Sequence, residues 1–348
     1  MHLVKSLVTA LGLLLTLNVT GCRIEREARS NETAVLQTTE FGAEQKPEDA
    51  GPSGLDLGPK YDSWSSTQLR IMTFNVRFLL ASADEAKRLM EKGLHSLDGK
   101  VAEDVVQQHH EELAQMIAHH QPDIVCLQEV INEAALERLV KTLETEEAYY
   151  TPFFVNSGST FLEQDVVFLT KSFPDKTSDE RIYRPSAPSK AAVLELEFHG
   201  QKFAFLGLHL LARPDDVTRK ARRETEANQV AQVLNQLREK GLTPIVMGDF
   251  NDWDRETPDT AVEVDPITSV FEILRNYDAN TEGQELFNAA EYIDDLDQRY
   301  THIYRGRYTM LDHILLPNEL RGSLARTFIE HRNQNISDHR PVMVDLQF

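Results

Sequence analysis

From Leu69 onward the sequence alternates short apolar runs, each long enough for one β-strand, with stretches in which apolar residues recur every three or four positions. Such runs predict buried strands, and the 3.6-residue period predicts amphipathic helices packed against them. Pairs of strands flanked by helices favour an α/β sandwich of two sheets with helices outside. The predicted strands are residues 69–76, 123–130, 165–170, 192–198, 202–209, 244–250, 311–316 and 340–346.

Three helices are predicted between these strands. The first lies between the first two strands, where one helical face collects Val105, Val106, His109, Leu113, Met116 and Ile117. The other two cover residues 133–147 and 217–240. Residues 252–300 are acidic and irregular, with one short helix near 269–276, and are predicted to form a long loop over the strand ends.

The first 22 residues are typical of a bacterial export signal. Lys5 gives the N-terminal region of this signal a positive charge. Residues 7–19 form an apolar stretch that is too short to span a bilayer comfortably. The sequence Val19-Thr20-Gly21-Cys22 resembles a lipobox, whose cysteine is lipidated; the alternative is an ordinary cleaved signal with a chance cysteine. The residue after Cys22 is Arg23 and not an aspartate. By resemblance to the sorting of enterobacterial lipoproteins, this favours the outer membrane over the inner membrane. The expected localisation is the cell envelope, with a lipid anchor at Cys22.

Residues 23–68 are polar and are predicted to form a disordered tether to a domain over residues 69–348. Cys126 lies inside an apolar run and is expected to be a small buried hydrophobic residue, so no disulfide is predicted. The net charge of −20 predicts an acidic surface that repels polyanions. Tight duplex binding is disfavoured, although metal ions and a local basic patch can offset this field.

Three polar residues at strand ends have a functional and an ordinary interpretation. Asn75 could hydrogen-bond a metal-bound water or a carboxylate, or it could be a turn residue. Glu129 ends an apolar run and needs a compensating cation, either a metal or an arginine. His209, between two leucines, is either a ligand or catalytic group or a core histidine bonded to the backbone.

The motif Met247-Gly248-Asp249-Phe250-Asn251 carries a stronger signal. Asp249 and Asn251 are two positions apart, so both side chains point to the same side of the strand end. Together they could hold an attacking water and stabilise charge near a metal-bound phosphate. The alternative is an Asx turn in which Asp249 caps the next segment.

A second strong motif, Ser337-Asp338-His339-Arg340-Pro341, precedes the last strand. His339 could act as a general acid or base, or stabilise phosphoryl charge as an imidazolium. Asp338 offers the hard oxygen ligand that Mg²⁺ prefers. Asp312 could orient His339 by a hydrogen bond to the ring nitrogen of that histidine that does not face the substrate. The alternative is that Asp312 and His313 form an ordinary pair at the surface.

In their order along the chain these motifs resemble the endonuclease/exonuclease/phosphatase superfamily, which includes deoxyribonucleases, apurinic endonucleases, sphingomyelinases and inositol polyphosphate 5-phosphatases. The resemblance covers residues 69–348. It implies a four-layer α/β sandwich of two mixed β-sheets with helices on the outside. It also implies metal binding by Glu129 with Asn75 and Asp338 nearby. Water activation would fall to Asp249 and Asn251, phosphate contacts to His209 and His339, and orientation of a histidine to Asp312. The expected cofactor is Mg²⁺, with Mn²⁺ or Ca²⁺ as alternatives.

Two basic residues are further candidates for binding substrate. Arg77 is shared with the deoxyribonuclease-like branch, and Lys171 stands where many relatives carry an arginine after the strand at 165–170. Residues 299–309 interleave basic and aromatic residues, which predicts either a stacking or phosphate-steering surface or an ordinary β-hairpin edge.

Three functions are consistent with these motifs. The leading one is a monomeric, nuclease-like, metal-dependent phosphodiester hydrolase of the cell envelope. It would act on a phosphate-ester substrate, with nucleic acid as one option, and contact the membrane through its lipid anchor. The second is a lipid or inositol-phosphate phosphoesterase of the sphingomyelinase kind. The third is a non-catalytic binding lipoprotein, against which the intact motif set speaks, because unpaired buried charges are destabilising.

Overall fold

A computed structural model describes residues 67–97, 99–156, 164–171, 180–259, 265–277, 286–332 and 335–348. The predicted signal peptide, Cys22 and nearly all of the predicted tether lie outside these residues. Among the helices in the described ranges, none is both long and apolar enough to cross a membrane.

Two six-stranded sheets, both mixed, form the centre of the fold. The first has the order β13-β14-β1-β2-β4-β3 and the second the order β5-β6-β7-β8-β12-β9, while β10 and β11 form a separate hairpin. The strands are β1 Gln68–Leu79, β2 Ile124–Val130, β3 Tyr150–Phe153, β4 Asp165–Lys171, β5 Arg181–Tyr183, β6 Ala191–Phe198, β7 Gln201–His209, β8 Thr243–Asp249, β9 Leu286–Asn288, β10 His302–Tyr304, β11 Arg307–Thr309, β12 Asp312–Pro317, β13 Leu324–Ile329 and β14 Val342–Gln347.

Helices cover the outer faces of both sheets. The helices are α1 Ala83–Glu91, α2 Glu103–His120, α3 Glu133–Thr145, α4 Lys220–Glu239 and α5 Val270–Arg275. Apolar residues of α2 and α3 join one core cluster with the first sheet, and those of α4 and α5 join another with the second sheet. The predicted sandwich of two mixed sheets with helices outside is therefore confirmed.

The inner faces of the two sheets meet in a central core. Ile71 and Cys126 from the first sheet pack in the same cluster as Phe205 and Met247 from the second. These inner side chains alternate with outer ones because successive residues of a strand point to opposite faces. Cys126 is completely buried, as predicted, and its thiol is free.

Several short elements were not predicted from the sequence. The strands β3, β5, β9 and β13 are brief or carry polar residues, so they lack a sustained apolar run. The helix α1 has only nine residues and begins at Ser82, whose hydroxyl accepts a hydrogen bond from the backbone of Glu85. The predicted loop over 252–300 is corrected in part, because it contributes β9 to the second sheet in addition to the expected short helix.

Candidate active site and metal centre

The two sheets bring their polar strand ends to one edge of the sandwich. The strands β1 and β2 run parallel, as do β7 and β8, so their carboxyl ends share an edge. The strands β12 and β14 run antiparallel to these neighbours and therefore begin at that edge. This arrangement pairs Asp312 with Asp249. It also places Ser337, whose hydroxyl donates to the backbone oxygen of Asn75 at 2.7 Å, beside the end of β1.

The carboxylate of Asp249 lies at the centre of the site, where three other polar side chains contact it or lie close to it. Its Oδ2 accepts a hydrogen bond from Asn75 Nδ2 at 3.0 Å. The same oxygen lies 3.7 Å from His209 Nε2 and 3.9 Å from His339 Nε2. Asp249 is 1% exposed, and burial together with the charge of Asp312 raises its pKa to about 7. A carboxyl with that pKa can take up a proton near neutral pH.

A tight turn after β8 aims this carboxylate. The backbone N–H of Asn251 donates to Asp249 Oδ1 at 2.9 Å, and Asn251 Nδ2 donates to the Leu210 oxygen at 3.1 Å. Gly248 has a φ of +140°, and a Cβ there would lie 2.1 Å from the backbone oxygen of Leu208. The Asx turn is therefore present, and it orients a carboxylate that faces the other site residues. The role of Asp249 and Asn251 in holding a water stays a prediction.

Asp312 and His339 form the shortest polar contact of the cluster, with 2.6 Å between Oδ2 and Nδ1. The backbone N–H of Asp312 donates to the Thr301 hydroxyl at 3.1 Å, which fixes the start of β12. Burial alone would lower the pKa of His339, but the carboxylates of Asp312 and Asp249 raise it to about 10. At neutral pH His339 is therefore an imidazolium, oriented through Nδ1 with Nε2 free to face a substrate.

His209 completes the histidine pair from the second sheet. Its Nε2 lies 3.8 Å from Glu129 Oε1 in addition to its contact with Asp249. Burial, followed by the positive charges of Lys190 and His339, holds the pKa of His209 well below its ordinary value. The two histidines thus differ in charge, with His339 cationic and His209 neutral, and can contact a substrate in different ways.

Glu129 and Asp338 form the part of the site that best fits a divalent cation. Burial and the charge of Asp338 raise the pKa of the Glu129 carboxyl. Burial would also raise the pKa of Asp338, but the positive charges of His339 and Arg77 lower it. The charge of Asp338 thus disfavours the charged form of Glu129, and a cation would relieve this. The two carboxylates offer the hard oxygens that Mg²⁺, Mn²⁺ and Ca²⁺ prefer. The donor chemistry of the chain therefore fits the expected cofactor class.

Asn75 supports these acids as a hydrogen-bond donor. Its Nδ2 faces Asp249, a hydrogen bond from its side chain lowers the pKa of Glu129, and its Oδ1 accepts from the backbone N–H of Arg77 at 3.1 Å. In this amide orientation the oxygen is already occupied. The metal role expected for Asn75 stays a prediction, and the contacts favour indirect support of the ligands.

A tighter group of possible metal ligands consists of Asp249, Asp312 and His339, whose ligand atoms lie within 4.8 Å of one another. The 2.6 Å contact between Asp312 and His339 is a charge-assisted hydrogen bond, with a proton between the two atoms. A proton in that position competes with a cation for the same lone pairs. Glu129 and Asp338 therefore remain the predicted metal ligands.

Backbone strain is concentrated at the site. Among the residues that the structure describes, nine other than glycine have a positive φ, and four of them, Arg77, Phe78, Glu129 and Asn251, lie at or beside the cluster. The register shifts of β1 and β2 occur at the same places, between Asn75 and Leu79 and between Leu127 and Val130. Each such conformation costs about 1–3 kcal/mol and persists only where surrounding contacts hold it, which is typical of functional sites.

Of the two predicted substrate-binding residues, the structure brings only Arg77 to the site, with Nε 3.5 Å from Asp338 Oδ2. The structure does not bring Lys171 to the site. Because β4 is antiparallel to β2, Asp165 pairs with Val130 near the site, while Lys171 follows Thr170 at the opposite edge. There Lys171 donates to the backbone oxygen of Gln121 and lines an open cavity of about 620 Å³.

Sequence reasoning missed two basic residues at the site, Lys190 and Lys100, and included His302 only as part of the stretch 299–309. Lys190 precedes β6, and its backbone oxygen accepts from the N–H of His209 at 3.0 Å. Lys100 follows α1 and donates to the backbone oxygen of Arg77 at 2.5 Å. The ring of His302 lies 4.8 Å from that of His339. Strand direction would have identified Lys190. The parallel strands β7 and β8 end at the site, so the antiparallel strand β6 begins there, and Lys190 directly precedes β6.

Comparisons with known proteins agree with this geometry. The sequence matches the model of the endonuclease/exonuclease/phosphatase family over residues 72–339. No curated protein gives a significant match.

Several solved structures share the fold. TDP2 from C. elegans has a TM-score of 0.53 at 15% identity, with 82% of this chain and 77% of that chain covered. A D. rerio TDP2 humanized by 14 mutations has a TM-score of 0.52 at 17% identity, covering 82% of this chain and 100% of that one. A protein of the same family from Leptotrichia buccalis has a TM-score of 0.53 at 20% identity, covering 80% of this chain and 100% of that one. At these identities the likeness shows the fold alone.

Proposed function

The chain belongs to the endonuclease/exonuclease/phosphatase family, whose members hydrolyse phosphodiesters or phosphate esters, and we propose that it is a metal-dependent, nuclease-like phosphodiester hydrolase of the bacterial cell envelope. The observation that carries this proposal is the convergence on Asp249 Oδ2 of side chains from three other segments of the chain. Asn75 donates to that oxygen, and His209 and His339 lie within 4 Å of it.

The roles of these residues follow from their charges and contacts. Asp249 takes a proton from water as the water oxygen bonds to phosphorus and the bond from phosphorus to the leaving oxygen breaks. His339, held as an imidazolium by Asp312, donates from Nε2 to a phosphoryl oxygen, and neutral His209 offers a second contact without adding charge. When bound, the divalent cation would neutralise charge on the phosphate, and Glu129 and Asp338 would hold it.

The β10–β11 hairpin, which carries one exposed tyrosine on each face, favours nucleic acid among the possible phosphodiesters. Tyr304 and Tyr308 on the β10–β11 hairpin are 47% and 41% exposed. The guanidinium of Arg305 lies 5.1 Å from the centre of the Tyr304 ring. At the base of the hairpin, His302 pairs with His339 in an isolated bridge. Exposed rings beside cationic groups suit stacking of unpaired bases, which the acidic surface elsewhere would not prevent.

A substrate panel with excess Mg²⁺ tests this proposal. It comprises single-stranded DNA and RNA, plasmid DNA, bis-p-nitrophenyl phosphate, sphingomyelin and inositol phosphates. We expect turnover of the single-stranded nucleic acids and of bis-p-nitrophenyl phosphate. Replacing Tyr304 and Tyr308 together by alanine should raise KM for single strands at least about thirtyfold, since each of two stacked bases contributes about 1–3 kcal/mol, and should leave the small diester unaffected.

Tyr149→Ala provides the matched control, because this tyrosine is 69% exposed and lines the cavity at the opposite edge. It should leave KM unchanged for every substrate. Faster turnover of sphingomyelin or inositol phosphates than of any nucleic acid would replace the nuclease-like assignment by the lipid or inositol-phosphate alternative.

The proposed envelope location depends on Cys22, which follows an apolar stretch in a lipobox-like sequence. Cys22→Ser should move the protein from the membrane fraction to the soluble fraction of cells, because the acyl chains that anchor it cannot be attached. Metabolic labelling with a radioactive fatty acid should mark the wild type and not the variant. Retention of the unlabelled variant in membranes would exclude this anchor.

A further inference from the structure

The segment between β1 and α2 builds a small core of its own beside the site. Phe78 and Leu80 from the end of β1 pack with Leu89 of α1, Leu97 and Val106 in a separate cluster. The helix α1 and the turns that follow it are therefore fixed against the end of β1. Lys100 lies at the end of this segment, just before α2.

The ammonium group of Lys100 joins two elements of the fold. Its Nζ donates to the backbone oxygen of Arg77 at 2.5 Å and lies 3.5 Å from His109 Nδ1 on α2. Burial, followed by the charge of Lys100, holds the pKa of His109 well below its ordinary value, so this ring is neutral and can accept a hydrogen bond. Lys100 thus ties the end of β1 to α2.

The backbone that Lys100 holds is a strained part of the site. Arg77 and Phe78 have φ values of 49° and 58°, two consecutive residues in the left-handed region. The same bulge directs the N–H of Arg77 to Asn75 Oδ1 and its guanidinium towards Asp338. A residue other than glycine avoids this conformation unless surrounding contacts hold it there. The hydrogen bond from Lys100 to the Arg77 oxygen is such a contact.

Lys100 differs from the other lysine of this segment with a described ion pair. Lys87 on α1 has a side chain 56% exposed and pairs with Asp84 on the surface. Lys100 is half-buried, and burial is the largest influence on its pKa, which falls to about 8. The negative charges of Asp338 and Glu129 act in the opposite direction and raise this pKa. A lysine that loses hydration in this way needs compensating contacts, and here they come from the site.

We propose that Lys100 is a positioning residue of the active site, which locks the bulge at Arg77 so that Asn75 and Arg77 face Asp249 and Asp338. The effect of Lys100 on catalysis rests on the proposed function. Its effect on the backbone rests on the contacts of Lys100 alone. Lys100 acts through the backbone oxygen of Arg77 and does not need to touch the substrate.

The test compares Lys100→Met and Lys100→Arg in the full chain, with Lys87→Met as the matched control. In Lys100→Met we expect kcat for bis-p-nitrophenyl phosphate to fall about tenfold or more, while KM stays within twofold and the melting temperature changes little. Deuterium uptake by a peptide covering residues 74–80 should rise, because the Arg77 oxygen loses its donor and the bulge that directs the Arg77 N–H to Asn75 Oδ1 is no longer held. Lys100→Arg, which can donate to the same oxygen, should restore most of kcat and of the protection.

Two results would overturn the proposal. One is wild-type deuterium uptake over residues 74–80 in Lys100→Met, whatever happens to the rate. The other is a loss of rate that appears entirely in KM, which would indicate direct contact with substrate. If the wild type hydrolyses no phosphoester at all, the proposed function fails, while the deuterium measurement still decides whether Lys100 holds the bulge.

Discussion

Replacing Asp249 by asparagine is expected to lower kcat for phosphodiester hydrolysis by at least about a thousandfold. Two effects combine: the base that takes up the proton of water is lost, which alone costs about 10²–10⁴-fold, and the imidazolium of His339 loses one of the three carboxylates that raise its pKa. KM should change little, because Asp249 acts on the attacking water. The measurement is steady-state hydrolysis of bis-p-nitrophenyl phosphate in excess Mg²⁺.

The fold should survive this substitution. Asparagine has the same shape as aspartate, and its side-chain oxygen can still accept the hydrogen bond that the backbone N–H of Asn251 donates to Asp249. We expect a melting temperature within a few degrees of the wild type. Asp84→Asn is the control, since this carboxylate is 90% exposed on α1, and it should leave kcat unchanged. A kcat for Asp249→Asn within tenfold of the wild type would remove Asp249 from its role as base.

The layered fold was predictable because its inner strands are long apolar runs. The strands β2, β7 and β8 are buried almost throughout, and such runs stand out in a sequence. The strands β3, β5 and β9 have three or four residues each and depend on pairing with a neighbour for their stability. A short segment of that kind carries too few residues to show a period.

The site was predictable where parallel strands end. Asn75, Glu129, His209 and Asp249 each follow an apolar run in a parallel pair, and the register brings them together. Strand direction was not readable for β4 and β6, which explains why Lys171 was chosen and Lys190 was missed. Lys100 was missed for another reason: it lies in a turn, and only the packing of α1 against β1 brings it to Arg77.

Removal of divalent cations should have an effect as large as the loss of Asp249. Glu129 is half-buried, and both its desolvation and the charge of Asp338 raise its pKa. A bound cation would stabilise the charged form of both carboxylates. Glu129→Gln should therefore weaken Mg²⁺ binding, measured by calorimetry, at least about tenfold. Asp297→Asn, on an exposed acidic turn, should leave Mg²⁺ binding unchanged.

The most direct test is the rate of bis-p-nitrophenyl phosphate hydrolysis by the full chain before and after metal removal. After treatment with EDTA and removal of the chelator, activity should fall at least about a thousandfold, because the charge on the phosphate is no longer neutralised. Excess Mg²⁺ should restore it, with Mn²⁺ and Ca²⁺ compared in parallel and Asp249→Asn as the blank. Full activity in protein shown to be free of metal by mass spectrometry would contradict the account.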